Sequence, residues 1–331
     1  MMSQIPSLAW WRAHWPGLAV AAMVALSAQF LSEHYGAPAM LMAILLGIAL
    51  NFLSDETRTA PGIGLAARGV LRLGVALLGL RISLEMFLGL GAPLLALVVG
   101  GVAATIGFGL LAARWFGASR SFGFLTGGAV AICGASAAMA LAALLPKGEK
   151  AERDLVFAVV GVTVLSTVAM IFYPMLAQWG GLDDRLTGVF LGATIHDVAQ
   201  VVGAGFSVSP EAGETATLVK LIRVALLAPV VLIAAMVLRG APGSDRPPLL
   251  PGFVVAFLIL AALNSAVALP VWLTDGAAAL SRAALLMAIA AVGMKTSLPR
   301  LMQVGGAAMG LLLAETLFLG TLVFIGLELL A

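Results

Sequence analysis

Gly192-Ala-Thr-Ile-His196-Asp197-Val-Ala-Gln200-Val-Val-Gly-Ala-Gly205 is the stretch that decides how this chain is read. It sets a histidine, an acid and a carboxamide among residues that are otherwise apolar or small. A charged side chain at the centre of a bilayer costs roughly 2.5–3.5 kcal/mol even on the mildest scale. A lipid-facing helix therefore does not carry this trio. It belongs inside a bundle, where His196 titrates near physiological pH and Asp197 is a ligand for a proton or a coupling ion. On a continuous helix His196 and Gln200 share a face, and Asp197 lies about 100° round from His196. The alternative is a structural polar knot that ties helices together. The functional reading is preferred, because three polar groups together exceed what such a tie requires.

The rest of the chain supports a membrane setting. Hydrophobic residues make up 62% and charged residues 10% of it, against about 25% charged in soluble domains. Cys133 is the lone cysteine, so no disulfide forms within the chain. His14, His34 and His196 are scattered, which argues against a metal centre. A net charge of +2 gives no reason to expect nucleic acid as a partner. Arg12 and His14 precede an apolar run from Leu18 to Leu31, read as a first retained helix because further spans follow at once.

A ruler of about twenty apolar residues per span gives eleven segments: 16–32, 37–53, 63–80, 92–113, 121–145, 154–178, 186–206, 216–238, 250–271, 277–294 and 303–330. The expected fold is all-α: one integral membrane transporter domain, residues 1–331, of about 10–11 helices, with inverted repeats whose boundary lies near 146–154. Basic residues favour a cytoplasmic N-terminus and a periplasmic C-terminus. The loop holding Lys147, Lys150 and Arg153 is the misfit, since eleven crossings place it outside. Breaks within two crossing helices are the ordinary reading of the Gly- and Ala-rich segments 121–145 and 186–206. In the alternative, each of the two turns back on its own side, which moves the basic loop inside and Arg185 outside.

Further constellations carry chemistry. Thr126-Gly127-Gly128-Ala-Val-Ala-Ile-Cys133-Gly134-Ala-Ser136 is small and uncharged; a break there would turn free N–H groups and a positive helix end toward an anion. Close helix packing is the alternative. Lys220 and Arg223 share a helical face, with snorkelling to the headgroups as their alternative; Arg223, two turns in, is the better pathway residue. Glu315 and the pair Asn264–Ser265 are weaker candidates for the same cavity. Gly79-Leu-Arg81-Ile-Ser83-Leu84 is echoed by Gly293-Met-Lys295-Thr-Ser297-Leu298 at the ends of two helices facing opposite sides. Such an echo is the mark of an inverted repeat. The cations Arg81, Lys295, Lys220 and Arg223 outnumber buried acids and suit an anionic substrate.

The strings GLRIS, TGGAVAICGASAA, GATIHDVAQVVGAG and VKLIRVALLAPV together resemble the family of proposed sulfate exporters, the YeiH-like group of bacterial inner-membrane proteins, from about residue 17 to the end. The resemblance implies ten or eleven helices and kinship with the cation/proton antiporter and anion transporter superfamily, whose folds use inverted repeats and interrupted helices crossing near the midplane. Here the interrupted segments lie only two apart, a departure from that layout. The resulting expectation is a secondary transporter of a small anion, sulfate or another sulfur oxyanion or sulfonate. Gly127, Gly128, Cys133, Gly134, Ser136, Arg223, Arg81 and Lys295 would contact the substrate. His196, Asp197 and Gln200 would couple transport to H⁺ or Na⁺, with no cofactor. The lipid bilayer is the other expected partner, and a homodimer is left open. A passive channel or scaffold is the rival class. An intramembrane hydrolase using Ser136, His196 and Asp197 is disfavoured, since no Gly-x-Ser-x-Gly elbow is present.

Overall fold

The computed structural model describes residues 8–35, 39–82, 84–146, 149–237, 252–267, 269–296 and 306–330, all helix and connecting turns with no strand among them. Seven helices among the described residues are long and apolar enough to cross a membrane. The chain is an all-α polytopic membrane protein, as its composition requires. It divides into two compact units, Met1–Ser83 with Ala256–Ser297, and Leu84–Val255 with Leu298–Ala331. The loop near 146–154, expected as a repeat boundary, lies inside the second unit.

The first unit opens with α1 (Leu8–Tyr35) and the short α2 (Ala39–Ala49). A span from Ala60 to Leu78 follows, made of α3 (Ala60–Leu65), a π turn and α4 (Leu71–Leu78). The chain then builds the second unit from α5 (Leu84–Gly89), α6 (Gly91–Ala112), α7 (Arg120–Ala131), α8 (Ala135–Ala142) and α9 (Glu149–Trp179). It continues through α10 (Asp184–Thr194), α11 (Val198–Val208), α12 (Pro210–Ala225) and α13 (Leu227–Val237). It returns to the first unit with α14 (Gly252–Ala266) and α15 (Val271–Lys295), and α16 (Gly306–Leu330) completes the second.

Within the first unit α15 runs antiparallel to the α3–α4 span. Ser281 donates to the Gly74 carbonyl at 2.7 Å, while Asn51, ahead of α3, donates to the carbonyl of Met294 near the end of α15. The Gly79–Arg81 and Gly293–Lys295 echoes therefore sit at opposite ends of an antiparallel pair. Ser83, Ser297 and Leu298 of that echo lie outside the described residues.

In the second unit, glycine contacts fix the course of the chain. α6 and α16 are antiparallel: Phe116, just beyond α6, meets Gly310, Gly109 meets Glu315, and Leu97 meets Gly326. α9 runs parallel to α16, since Gly161 meets Met309 and Leu312, and Gly180 meets Phe324. The end of α6 and the start of α9 are thus on the same side, and the segment between them has not crossed. Gly128 of α7 meets Leu141 of α8, a contact that a straight helix, with about 20 Å between those positions, forbids. The same holds for α10 and α11: Gly188 and Gly205 both lie against the Ala212 carbonyl of α12. Segments 121–145 and 186–206 are therefore re-entrant hairpins, not crossing helices with breaks. They enter from opposite sides, separated by the single crossing α9. The long arms α7 and α10, each about 17 Å, reach halfway through a core of about 30 Å.

Candidate functional site

The first hairpin turns at a glycine and the second at an N-cap aspartate. At the first tip Gly134 takes φ 63°, a conformation that glycine alone adopts without strain, and its N–H returns to the Ala129 carbonyl at 2.8 Å. At the second tip Ile195 is extended, and Asp197 is the N-cap of α11, its carboxylate accepting from the Ala199 N–H at 2.8 Å. The two tips meet: a Cβ on Gly134 would stand 3.7 Å from the His196 carbonyl oxygen.

Lys220 and Arg223 clamp the tips together. Both are buried, at 0% and 1% exposure. Since α12 begins at Pro210, Lys220 lies about 15 Å along it, too deep to snorkel. Its ammonium donates to the carbonyls of Ile132 at 2.6 Å and Ile195 at 2.9 Å, one from each tip. Arg223 donates to Val130 and Ala131 on the first hairpin and to Gly192 and Ile195 on the second, at 2.8–3.0 Å. The cations thus satisfy the carbonyls that α7 and α10 leave open at their C-terminal ends. One ammonium hydrogen and one guanidinium hydrogen remain over.

A second layer of polar contacts surrounds the second tip. Ser166 Oγ of α9 accepts from the amides of His196 at 3.2 Å and Asp197 at 3.0 Å. Gln200 donates to Thr167 Oγ1 at 2.9 Å. His196 Nε2 meets Thr316 Oγ1 at 3.0 Å, and that hydroxyl donates to the Leu312 carbonyl, so the ring nitrogen carries the hydrogen between them. Glu315 Oε1 pairs with Thr126 Oγ1 at 2.8 Å. His196 Nδ1, Gln200 Oε1 and Glu315 Oε2 are buried without a partner. Such orphans are costly in a low-dielectric interior and mark places where a proton, water or ligand is accommodated.

Several expectations change. His196 lies in the turn, not on a helix, so it shares no helical face with Gln200; its ring turns to Thr316 of α16, while Gln200 turns to α9. Gly127 and Gly128 stand inside α7, where Gly127 packs against Thr105 and Gly109 and Gly128 against Leu141. Cys133 and Gly134 are at the first tip and buried. Ser136 lies on an exposed face of α8 and Lys295 is exposed at the end of α15. Arg81 and Lys295 belong to the first unit, not to this site. His196 bonds Thr316 rather than Ser136, so no nucleophile triad forms. Lys220, ranked behind Arg223, is an equal partner. Ser166, Thr167 and Thr316 join Thr126 of the Gly-rich segment to complete the site; the spacing of Thr163, Ser166 and Thr167 along one helical face was the one sequence signal for the α9 pair.

The fold and site define a class: polytopic α-helical membrane proteins built on two re-entrant hairpins that meet tip to tip. Residues 16–312 match the family described as Conserved hypothetical protein 698. The UPF0324 membrane protein TauZ of Paracoccus denitrificans is 61% identical over 334 residues, covering 99% of each chain. A UPF0324 membrane protein of Rhizobium meliloti is 61% identical over 94% of this chain and 92% of its own. One from Chlorobaculum tepidum is 49% identical over 94% and 88%. The chain belongs to the UPF0324 membrane protein family. The family descriptions name no substrate.

Proposed function

We propose that this chain is a secondary transporter of a small anion, working by alternating access around the paired tips. The clamp of Lys220 and Arg223 carries this reading. Helix ends contribute about half a charge each, so the four half-helices at the tips cancel to about zero. Lys220 and Arg223 add +2 and the Asp197 carboxylate −1, leaving a local charge of about +1 for an anion to neutralise. The start of α8 has no side-chain cap from its N-cap residue, Gly134, which leaves this helix end to meet an anion. The start of α11 is closed by Asp197 and Ser166, which suits it to coupling rather than to substrate contact.

Because the hairpins enter from opposite sides, withdrawing one tip opens the site to one side only, which is the geometry alternating access needs. Arg114, Arg120, Lys150 and Arg153 gather on the side where the first hairpin enters, against Arg185 on the other. The positive-inside rule then makes that side cytoplasmic and the C-terminal end of α16 periplasmic, in a bacterial inner membrane. Sulfate or another sulfur oxyanion or sulfonate is the substrate class the resemblance favours, with H⁺ or Na⁺ as the coupling ion. The test is uptake of labelled sulfate, sulfite and alkanesulfonates into proteoliposomes under imposed pH or Na⁺ gradients. Uphill accumulation that Arg223→Ala abolishes is expected. Flux that only follows the anion's own gradient would instead identify a channel.

A further inference from the structure

Consecutive residues of α16 reach the two hairpins. Thr316 touches the second tip through His196, and Glu315 touches the arm of the first through Thr126. Glu315 is fully buried, at 0% exposure. It fills a slot left by glycines where α6 and α7 cross. A Cβ on Gly109 would stand 2.6 Å from Glu315 Oε1 and 2.4 Å from the Gly123 carbonyl oxygen.

Hydrogen counting shows how this contact is made. Thr126 has one hydroxyl hydrogen, and its oxygen lies 3.0 Å from the Phe122 carbonyl four residues back. Thr105, Thr194, Thr217 and Thr316 all donate to that same i−4 position. The single hydroxyl hydrogen serves either Glu315 Oε1 at 2.8 Å or the Phe122 carbonyl, not both; a protonated carboxyl that donates to Thr126 frees that hydrogen for Phe122 and makes both bonds at once. An ionised Glu315 would leave Oε2, which has no partner, as a bare charge in a dry slot.

We infer that Glu315 is a proton-binding site that loads and unloads once per cycle, making H⁺ the coupling ion of the transporter proposed above. The coupling role rests on that reading; the protonation does not. A proton from water on one side bonds to the carboxylate. When the arm bearing Thr126 withdraws, the O–H bond breaks and the proton leaves to water on the other side. α6 brings no titratable side chain to this slot. The other elements packed on α16 bring His196 through Thr316, Tyr173 of α9 beside Gly320, and the exposed Arg114 and Arg120 at the near ends of their elements.

The experiment uses the full chain in proteoliposomes, comparing wild type, Glu315→Gln and Thr126→Val. The infrared difference between wild type and E315Q at neutral pH should contain the carbonyl stretch of a protonated carboxylic acid, and T126V should shift that band. No such band, or a band that T126V leaves unmoved, overturns the site. In flux measurements E315Q should lose at least about tenfold of sulfate or sulfonate accumulation driven by a pH gradient, while anion exchange at equal pH persists. Gradient-driven accumulation retained by E315Q overturns the coupling role. A wild type that moves no anion refutes the transport reading instead, and the infrared band still decides the proton site.

Discussion

At the first tip the chain turns through Gly134, which has no side chain to cap the start of α8. At the second it turns through Ile195–Asp197, and the Asp197 carboxylate and the Ser166 hydroxyl take the free amides. Both tips give their carbonyls to the same two cations. The hairpins thus share one clamp but differ in what they leave open: amide hydrogens at the first, an imidazole nitrogen and a carboxamide oxygen at the second. A site built this way separates two tasks within one small volume. In the transporter proposed above, the anion would be met by the backbone of the first hairpin and coupling would fall to the second.

The largest effect should come from Arg223→Ala, which strips both hairpins at once. Four buried carbonyls lose a charged donor, and each such loss costs about 1–3 kcal/mol. Thermal unfolding in detergent should drop steeply, and flux should vanish. Lys220→Met removes one bond from each tip; stability should fall less, with anion-induced stabilisation lost. Gly134→Ala strains only the first tip, by about 1–3 kcal/mol, and should lower apparent anion affinity while leaving the coupling response in place. Asp197→Asn should reverse that pattern: an amide oxygen still caps α11, so the protein inserts and folds, yet coupled flux is lost. His196→Ala should act likewise. Wild-type flux in both of these variants would remove the second tip from the coupling role. The smallest effect is Ser166→Ala, about 1 kcal/mol in unfolding, felt at the second tip alone.

Much of this was legible in the sequence. Apolar run lengths gave the class, and the polar trio gave one tip. The Gly-rich segment gave the other, and the misplaced basic loop hinted that two segments turn back. The hairpin geometry itself was not legible, because a segment of about twenty-three residues fits one crossing or two short arms equally well on hydropathy. Asp197-x-x-Gln200 has the spacing of a helix start, which moves His196 off the helix. Ser209-Pro210 likewise starts α12 six residues earlier than expected, taking Lys220 out of headgroup reach. Thr316 was beyond reach, since isolated hydroxyls in membrane helices are common and only tertiary contact distinguishes this one.

The paired hairpins rest on sidedness, and sidedness is measured directly by cysteine labelling. In a Cys133→Ala background, single variants Arg120→Cys, Ala143→Cys, Asp184→Cys and Glu211→Cys occupy exposed positions at the feet of the four arms. With a membrane-impermeant maleimide, the first two should react only from the cytoplasmic side and the last two only from the periplasmic side. Labelling of Arg120→Cys and Ala143→Cys from opposite sides would show that the segment crosses, and the tip-to-tip site would fall with it.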